Sequence, residues 1–433
     1  MTLDAALDAA LRDAQARYAD ARPLSAAWAE RAAAVLPGGN TRSVLHFDPF
    51  PFRVERAEGH SLYDVDRHRY VDLLGNYTAG LLGHSPPAVR AAAHAAIDGG
   101  WALGSVHPNE ALLGELIVGR FPSIEQVRFT NSGTEANLMA LALAIHHTGR
   151  PKVMAFRDGY HGGVLTFGHG GEAVTVPHDW VMADYNDVDG VVAAFAAHGD
   201  HLAAVLVEPL QGSAGCIPGH PEFLQTLRDL CDRHGTVLVF DEVMTSRLSP
   251  GGAQQVLGIT PDLTTLGKYL AGGFTFGAFG GRRDLMAHFD ASTGGTLGHA
   301  GTFNNNVVSM AAGIATLSEV LTPEVLEAVN ARGDRLRTRL GDVFAAHGLP
   351  MCMTGLGSLT NIHGTPGPVH STADLAEADD RWRALLFFAA LDAGFYLARR
   401  GFIALSIEIT DDDIDEFVGV VDGWATRATL AYG

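Results

Sequence analysis

Lys268 closes the stretch Thr265-Leu266-Gly267-Lys268 and is one of only two lysines in the chain, beside Lys152. The other 28 of the 30 basic residues are arginines. It follows the apolar run Leu263 to Leu266 and precedes the glycine-rich stretch Ala271 to Gly281. A lysine that ends a strand beside such backbone suits covalent chemistry on a carbonyl. Taken alone, this stretch reads equally well as a surface lysine in a loop.

Three further stretches tip that balance. Val237 to Phe240 reads as a buried strand and runs into Asp241-Glu242-Val243. Phe129 to Ala136 reads as a strand, a tight turn at Asn131-Ser132-Gly133-Thr134 and a helix start. Asp158 to Gly163 is a loop with Tyr160 and His161 between glycines. Each has a plain structural reading: a carboxylate capping a turn, a helix N-cap, a surface loop. Together they supply a lysine for a Schiff base, a carboxylate for a pyridinium nitrogen, a helix N-terminus for a phosphate and an aromatic ring for stacking. That set describes a pyridoxal phosphate site.

These motifs resemble those of fold-type I, class III aminotransferases, in the branch that also holds the glutamate-1-semialdehyde aminomutases. The markers are Asn131 to Ala136, Tyr160-His161-Gly162, Val207-Glu208-Pro209, Asp241-Glu242-Val243, Leu266-Gly267-Lys268 and Gly301-Thr302-Phe303. They cover most of the chain in the family's order. Asn40 to Val44, Gly301 to Asn306 and Arg400-Gly401-Phe402 look like the β-phenylalanine (β-amino acid) aminotransferases. Aminomutases usually carry a Ser-Pro-Val-Arg-type segment and a Gly-Thr-x-x-Gly-Asn-Pro pattern. Here Thr41 to Val44 and Gly301 to Asn306 stand instead. An aminomutase and an ω-amine transaminase are the alternatives.

The resemblance assigns roles. Lys268 carries the cofactor and moves the substrate proton, and Asp241 pairs with the ring nitrogen. Ser132, Gly133 and Thr134 hold the phosphate. Tyr160 and Val243 take the two ring faces, and Gln211 bonds the ring oxygen. Glu208 organises nearby side chains, His161 supports its loop and Glu242 is structural. Thr302 reaches the phosphate of the neighbouring subunit, which implies a homodimer with shared active sites. Arg42 and Arg400 hold substrate carboxylates, and Tyr77 lines the substrate pocket. Guanidinium groups bind carboxylates in a bidentate manner and stay charged. Lys152 is a poor rival for Lys268, because it starts a strand at the end away from the proposed site. The implied reaction moves an amino group from a small-molecule donor to a keto acid acceptor.

The elements that position these residues follow from the hydrophobic pattern. Candidate strands are Gln126 to Thr130, Lys152 to Phe156, Val181 to Tyr185, Leu202 to Glu208, Thr236 to Asp241 and Leu263 to Leu266. Helices near Thr134 to His147, Val188 to His198 and Pro221 to His234 fall between them. Near-continuous apolar strands alternating with helices predict an α/β fold. Its mainly parallel sheet should bind ligands at the carboxyl ends of its strands. The expected organisation is an N-terminal segment, 1–75, packing with a smaller α+β domain, 307–433, and a large cofactor domain, 76–306. The resemblance implies the fold-type I pyridoxal phosphate transferase fold.

The whole-chain numbers set limits. The chain has 433 residues, 47% of them hydrophobic and 18% charged, as in a globular protein. A net charge of −19 argues against nucleic acid and anionic membrane as partners, and makes an anionic substrate depend on local arginines. Cys216, Cys231 and Cys352 match no metal or redox spacing, and no His-Glu-x-x-His pattern occurs, so no metal is expected. The acidic N-terminal stretch with Asp4, Asp8 and Asp13 is unlike a secretory signal. No apolar run approaches the roughly 20 residues that span a bilayer. A cytoplasmic enzyme is expected.

Overall fold

A computed structural model describes residues 2–168 and 171–432. The chain forms two compact units. One comprises the N-terminal stretch through Ser85, Val329–Val369 and the C-terminal stretch from Ala373; the other comprises Pro86–Ala328 with His370–Thr372.

The second unit is built on a seven-stranded sheet. Its strand order is Gln126–Thr130, Gly277–Gly281, Leu263–Gly267, Val237–Asp241, Leu202–Val207, Lys152–Phe156 and Asp179–Ala183. The last five are parallel neighbours, so the expected mainly parallel sheet is present. Leu202–Val207 and Val237–Asp241 are buried along their whole length, as strands covered on both faces must be. Gly133–Thr148, Val188–His198 and Pro221–His234 are the helices expected between them. Pro221–His234 opens on proline, which has no N–H to leave unbonded, and stops at Gly235 in the left-handed conformation.

One strand contradicts the sequence pattern. Ala271 to Gly281 reads as flexible glycine-rich backbone, yet Gly277–Gly281 is a fully buried strand, antiparallel to both its neighbours. Glycine is needed there for space. A Cβ on Gly277 would overlap Ser132 O, and one on Gly281 would overlap Asp262 O. The low strand propensity of glycine is overridden by close backbone approach.

The first unit holds a four-stranded sheet, Val54–Glu58, Ser61–Asp64, Arg69–Asp72 and Phe395–Tyr396. A three-stranded sheet is formed by Cys352–Leu356, Leu359–His363 and Phe402–Ala404. The Phe395–Tyr396 strand is parallel to Arg69–Asp72, which ties the two ends of the chain together. Helices Leu3–Asp20 and Asp380–Asp392 pack through Tyr18 and Phe388, with Phe47 also on the Tyr18 ring. Among the described residues, no helix is long and apolar enough to cross a membrane.

Candidate active site

Two neighbouring parallel strands end together. Asp241 is the last residue of its strand and pairs in register with Thr265, on the strand that Lys268 follows. Gly267 is extended, and Lys268 then turns into the left-handed region at φ 55° before the short turn Lys268–Ala271. A lysine gains nothing intrinsic from that conformation, which is sparsely populated for residues with a Cβ. The half-buried Lys268 is therefore held at the strand end by its surroundings. Lys152 lies at the opposite, amino end of the sheet, with Nζ 3.0 Å from Asp179 Oδ2.

The Asp241 carboxylate is 5% exposed and well bonded. Its Oδ2 accepts from Asn137 Nδ2 at 2.8 Å and lies 2.8 Å from His161 Nδ1, while its Oδ1 accepts from Val243 N at 3.0 Å. Asn137 Nδ2 also donates to His161 O at 2.9 Å, and Thr265 Oγ1 donates to Asn137 Oδ1 at 2.7 Å. His161 thus touches Asp241 as well as belonging to the loop. Asn137 and Thr265 were not singled out by the sequence. The buried Glu242 accepts from Thr245 Oγ1, Ala253 N, Gln254 N and Gln254 Nε2.

The helix Gly133–Thr148 begins beside these strand ends. Ser132 is its N-cap, accepting from Glu135 N, and Glu135 Oε2 in turn accepts from Asn131 N at 2.9 Å. The first N–H groups of a helix lack intrahelical partners, and the helix dipole makes them an anion site. Gly133 sits so close to Val243 that a Cβ would meet Val243 Cγ2 at 2.7 Å. Thr134 Oγ1 accepts from Gly163 N at 3.3 Å, which ties the helix start to the Tyr160 loop.

Tyr160 is 46% exposed, and its N donates to Glu208 Oε1 at 3.0 Å. Glu208 Oε2 accepts from Gly212 N at 3.0 Å, so this carboxylate joins two loops. Burial raises the Glu208 pKa, opposed in part by His161 and by the two amides. Gln211 Nε2 donates to Arg157 O, while its buried Oε1 has no hydrogen-bond partner among the described residues. Thr302 is exposed in a turn. Asn304, beside it, accepts from Asn131 Nδ2 at 3.0 Å through Oδ1.

Arg42, Tyr77 and Arg400 gather in the other unit. The guanidinium carbons of Arg42 and Arg400 lie 5.7 and 5.3 Å from the Tyr77 ring centroid, and Tyr77 stacks on Phe402 at 5.7 Å. Arg42 Nη1 donates to Asn76 Oδ1 at 2.6 Å, and the Tyr77 hydroxyl donates to Val44 O. Gly75, Asn76, Tyr77 and Thr78 all have positive φ, a left-handed turn that L-residues adopt only under constraint. Burial raises the Tyr77 pKa, and both arginines oppose that shift.

The chain belongs to the class-III aminotransferase family, whose model matches residues 45–421. It is 52% identical over 417 residues to the β-phenylalanine transaminase of Variovorax paradoxus, covering 96% of each chain. The crystal structure of a β-phenylalanine aminotransferase from that organism superposes with a TM-score of 0.96 at 51% identity, covering 98% of both chains. A solved transaminase with pyridoxal phosphate bound superposes at 0.86 and 32% identity, over 94% of this chain and 98% of that one. A glutamate-1-semialdehyde 2,1-aminomutase of Nitratidesulfovibrio vulgaris is 39% identical over 404 residues, 89% of this chain and 94% of its own. The family, the fold and the transaminase activity expected from the sequence therefore hold.

Proposed function

We propose that this transaminase uses pyridoxal 5′-phosphate to take the amino group of a β-amino acid, aromatic or aliphatic, with β-phenylalanine as the example. A keto acid such as 2-oxoglutarate or pyruvate receives it. One observation carries the cofactor reading: Asp241 ends its strand and Lys268 directly follows the end of the adjacent parallel one, beside the capped start of Gly133–Thr148. The orphaned, buried Gln211 Oε1 supports it, because a ring hydroxyl is the kind of donor it lacks. When bound, the cofactor supplies an electron sink conjugated to the carbon that bears the substrate amine.

The protein's own groups do the rest. The Lys268 amine would hold the cofactor and would move the proton of the amine-bearing carbon. Asp241 would pair with the ring nitrogen and favour its protonated form. Ser132, Gly133 and Thr134 hold the phosphate with the helix dipole. Tyr160 and Val243 would take the two ring faces. Thr302 serves the phosphate of the second copy in a homodimer. Arg42 and Arg400, with Tyr77, take the carboxylates of donor and acceptor. The cysteines, none of them in a disulfide, support a cytoplasmic location.

The test is a donor panel of a β-amino acid, its α-isomer and the matching carboxylate-free amine, each with 2-oxoglutarate, with pyruvate and with no acceptor. The reading expects amino transfer from the β-amino acid only when an acceptor is present. Isomerisation of a substrate without an acceptor would instead make the protein a mutase, and equal use of carboxylate-free amines would make it an ω-amine transaminase.

A further inference from the structure

Asn137 is the point at which all four cofactor-holding elements meet. It lies on the helix Gly133–Thr148, whose start is the proposed phosphate site. Its Nδ2 donates to the Asp241 carboxylate and to the carbonyl of His161, in the Tyr160 loop. Its Oδ1 accepts from Thr265 Oγ1, on the strand that leads to Lys268. The amide orientation is forced. Turned the other way, Oδ1 would face a carboxylate and a carbonyl, two acceptors, and Nδ2 alone would face the hydroxyl. The Thr265 hydroxyl thus fixes which end of the amide meets Asp241. Asn137, Thr265, Asp241 and His161 are all at least nine-tenths buried, where an unpaired polar group is costly.

The count of donors on the carboxylate follows. Oδ2 receives Asn137 Nδ2 and His161 Nδ1, which must carry its proton to face an anion. Among the described residues, Oδ1 receives only Val243 N. A carboxylate oxygen has two in-plane acceptor sites, so Oδ2 is saturated and Oδ1 keeps one open. We propose that Asn137, oriented by Thr265, is a positioning residue. With His161 it occupies Asp241 Oδ2 and directs the open site of Oδ1 to the ring nitrogen of the cofactor. The inference rests on the reading of Asp241 given above.

The test compares pyridoxal phosphate with its 1-deaza analogue, in which a C–H replaces the ring nitrogen. Both share aldehyde and phosphate, so the ratio of their dissociation constants for the apoprotein reports the contact at the nitrogen. The wild type should prefer the nitrogen cofactor. Thr265→Val, nearly isosteric, and Asn137→Ala should each reduce that preference by about tenfold, the scale of a hydrogen bond to a charged group, and Thr265→Ser should restore it. A merely structural role would weaken both ligands alike and leave the ratio unchanged, which would overturn the proposal. Asp241→Asn separates the two levels. If it leaves the ratio intact, the assignment of Asp241 to the nitrogen fails. If it abolishes the preference while the Thr265 and Asn137 variants keep it, only the positioning role fails.

Discussion

Asp241 and Lys268 leave the same end of the sheet on adjacent parallel strands, with Asp241 in register with Thr265 and Lys268 just beyond Gly267. Asp241 is thus fixed by backbone pairing, and Lys268 by the turn that follows its paired strand. Parallel strands with both faces covered hold their carboxyl ends rigidly, and that is where ligands of open α/β sheets bind.

Replacing Asp241 by Asn keeps the side-chain shape but sets an amide NH2 against buried donors, at a cost of about 1–3 kcal/mol in stability, and should lower activity. The loss should fall on proton abstraction, by roughly 10²–10³-fold, the scale seen when a preorganised charge contact is removed. Single-turnover kinetics with an amino donor checks this. A near-native rate would show that another group serves the ring nitrogen.

Arg42→Ala and Arg400→Ala should each remove a charge-assisted contact of about 1.5–3 kcal/mol. That is roughly a ten- to hundredfold fall in kcat/KM for the affected half-reaction. A β-amino acid sets its carboxylate one carbon further from the amine than an α-amino acid does, so one fixed anion site serves donor and acceptor unequally. The two variants should therefore differ in which half-reaction suffers, and carboxylate-free amines should be spared. Separate half-reactions with a β-amino acid and with 2-oxoglutarate measure it. Parental behaviour of both variants in both would make these surface arginines.

Gly277→Ala should destabilise the protein by about 1–3 kcal/mol or more, because the added methyl overlaps Ser132 O and must displace the turn that caps Gly133–Thr148. Thermal denaturation gives the loss. The same displacement should weaken binding of inorganic phosphate or cofactor, which titration of the apoprotein would show. Unchanged stability and binding would mean that the strand and turn separate freely.

Glu208 makes a signed prediction in pH. Its folded pKa is raised above the ordinary 4.5, so the neutral acid is favoured by folding. Its contribution to stability is fully present below that ordinary value and is lost as pH rises through the raised one. The stability of the wild type relative to Glu208→Gln should therefore fall across that window and level off above it. Denaturation midpoints of the pair, taken from acid to neutral pH, check the sign. A rising difference would mean that the two amide donors outweigh burial.

Much of this was legible in the sequence because it is local. The run Val237 to Phe240 is apolar without a break and stops at Asp241, so strand and functional end are read together. Ser132 and Glu135 stand at capping spacing, and the helix begins between them. What escaped is non-local. Asn137 and His161 bond Asp241 across long sequence separations, and nothing in a buried-helix asparagine or a loop histidine announces its partner. The strand Gly277–Gly281 escaped because its composition reflects what presses against it, Ser132 O and Asp262 O, rather than its own propensity. The left-handed turn at Gly75 to Thr78 has a glycine only at its first position, so its conformation is imposed by packing.

Lys268 should carry the cofactor. Borohydride reduction of the holoprotein, followed by proteolysis and mass spectrometry of the peptides, tests it most directly, because reduction makes the lysine linkage permanent. A phosphopyridoxyl group is expected on Lys268 alone, and a Lys268→Ala variant should bind cofactor weakly, take no label and not turn over. Label on Lys152, whose ammonium is paired with Asp179 at the far end of the sheet, would contradict it.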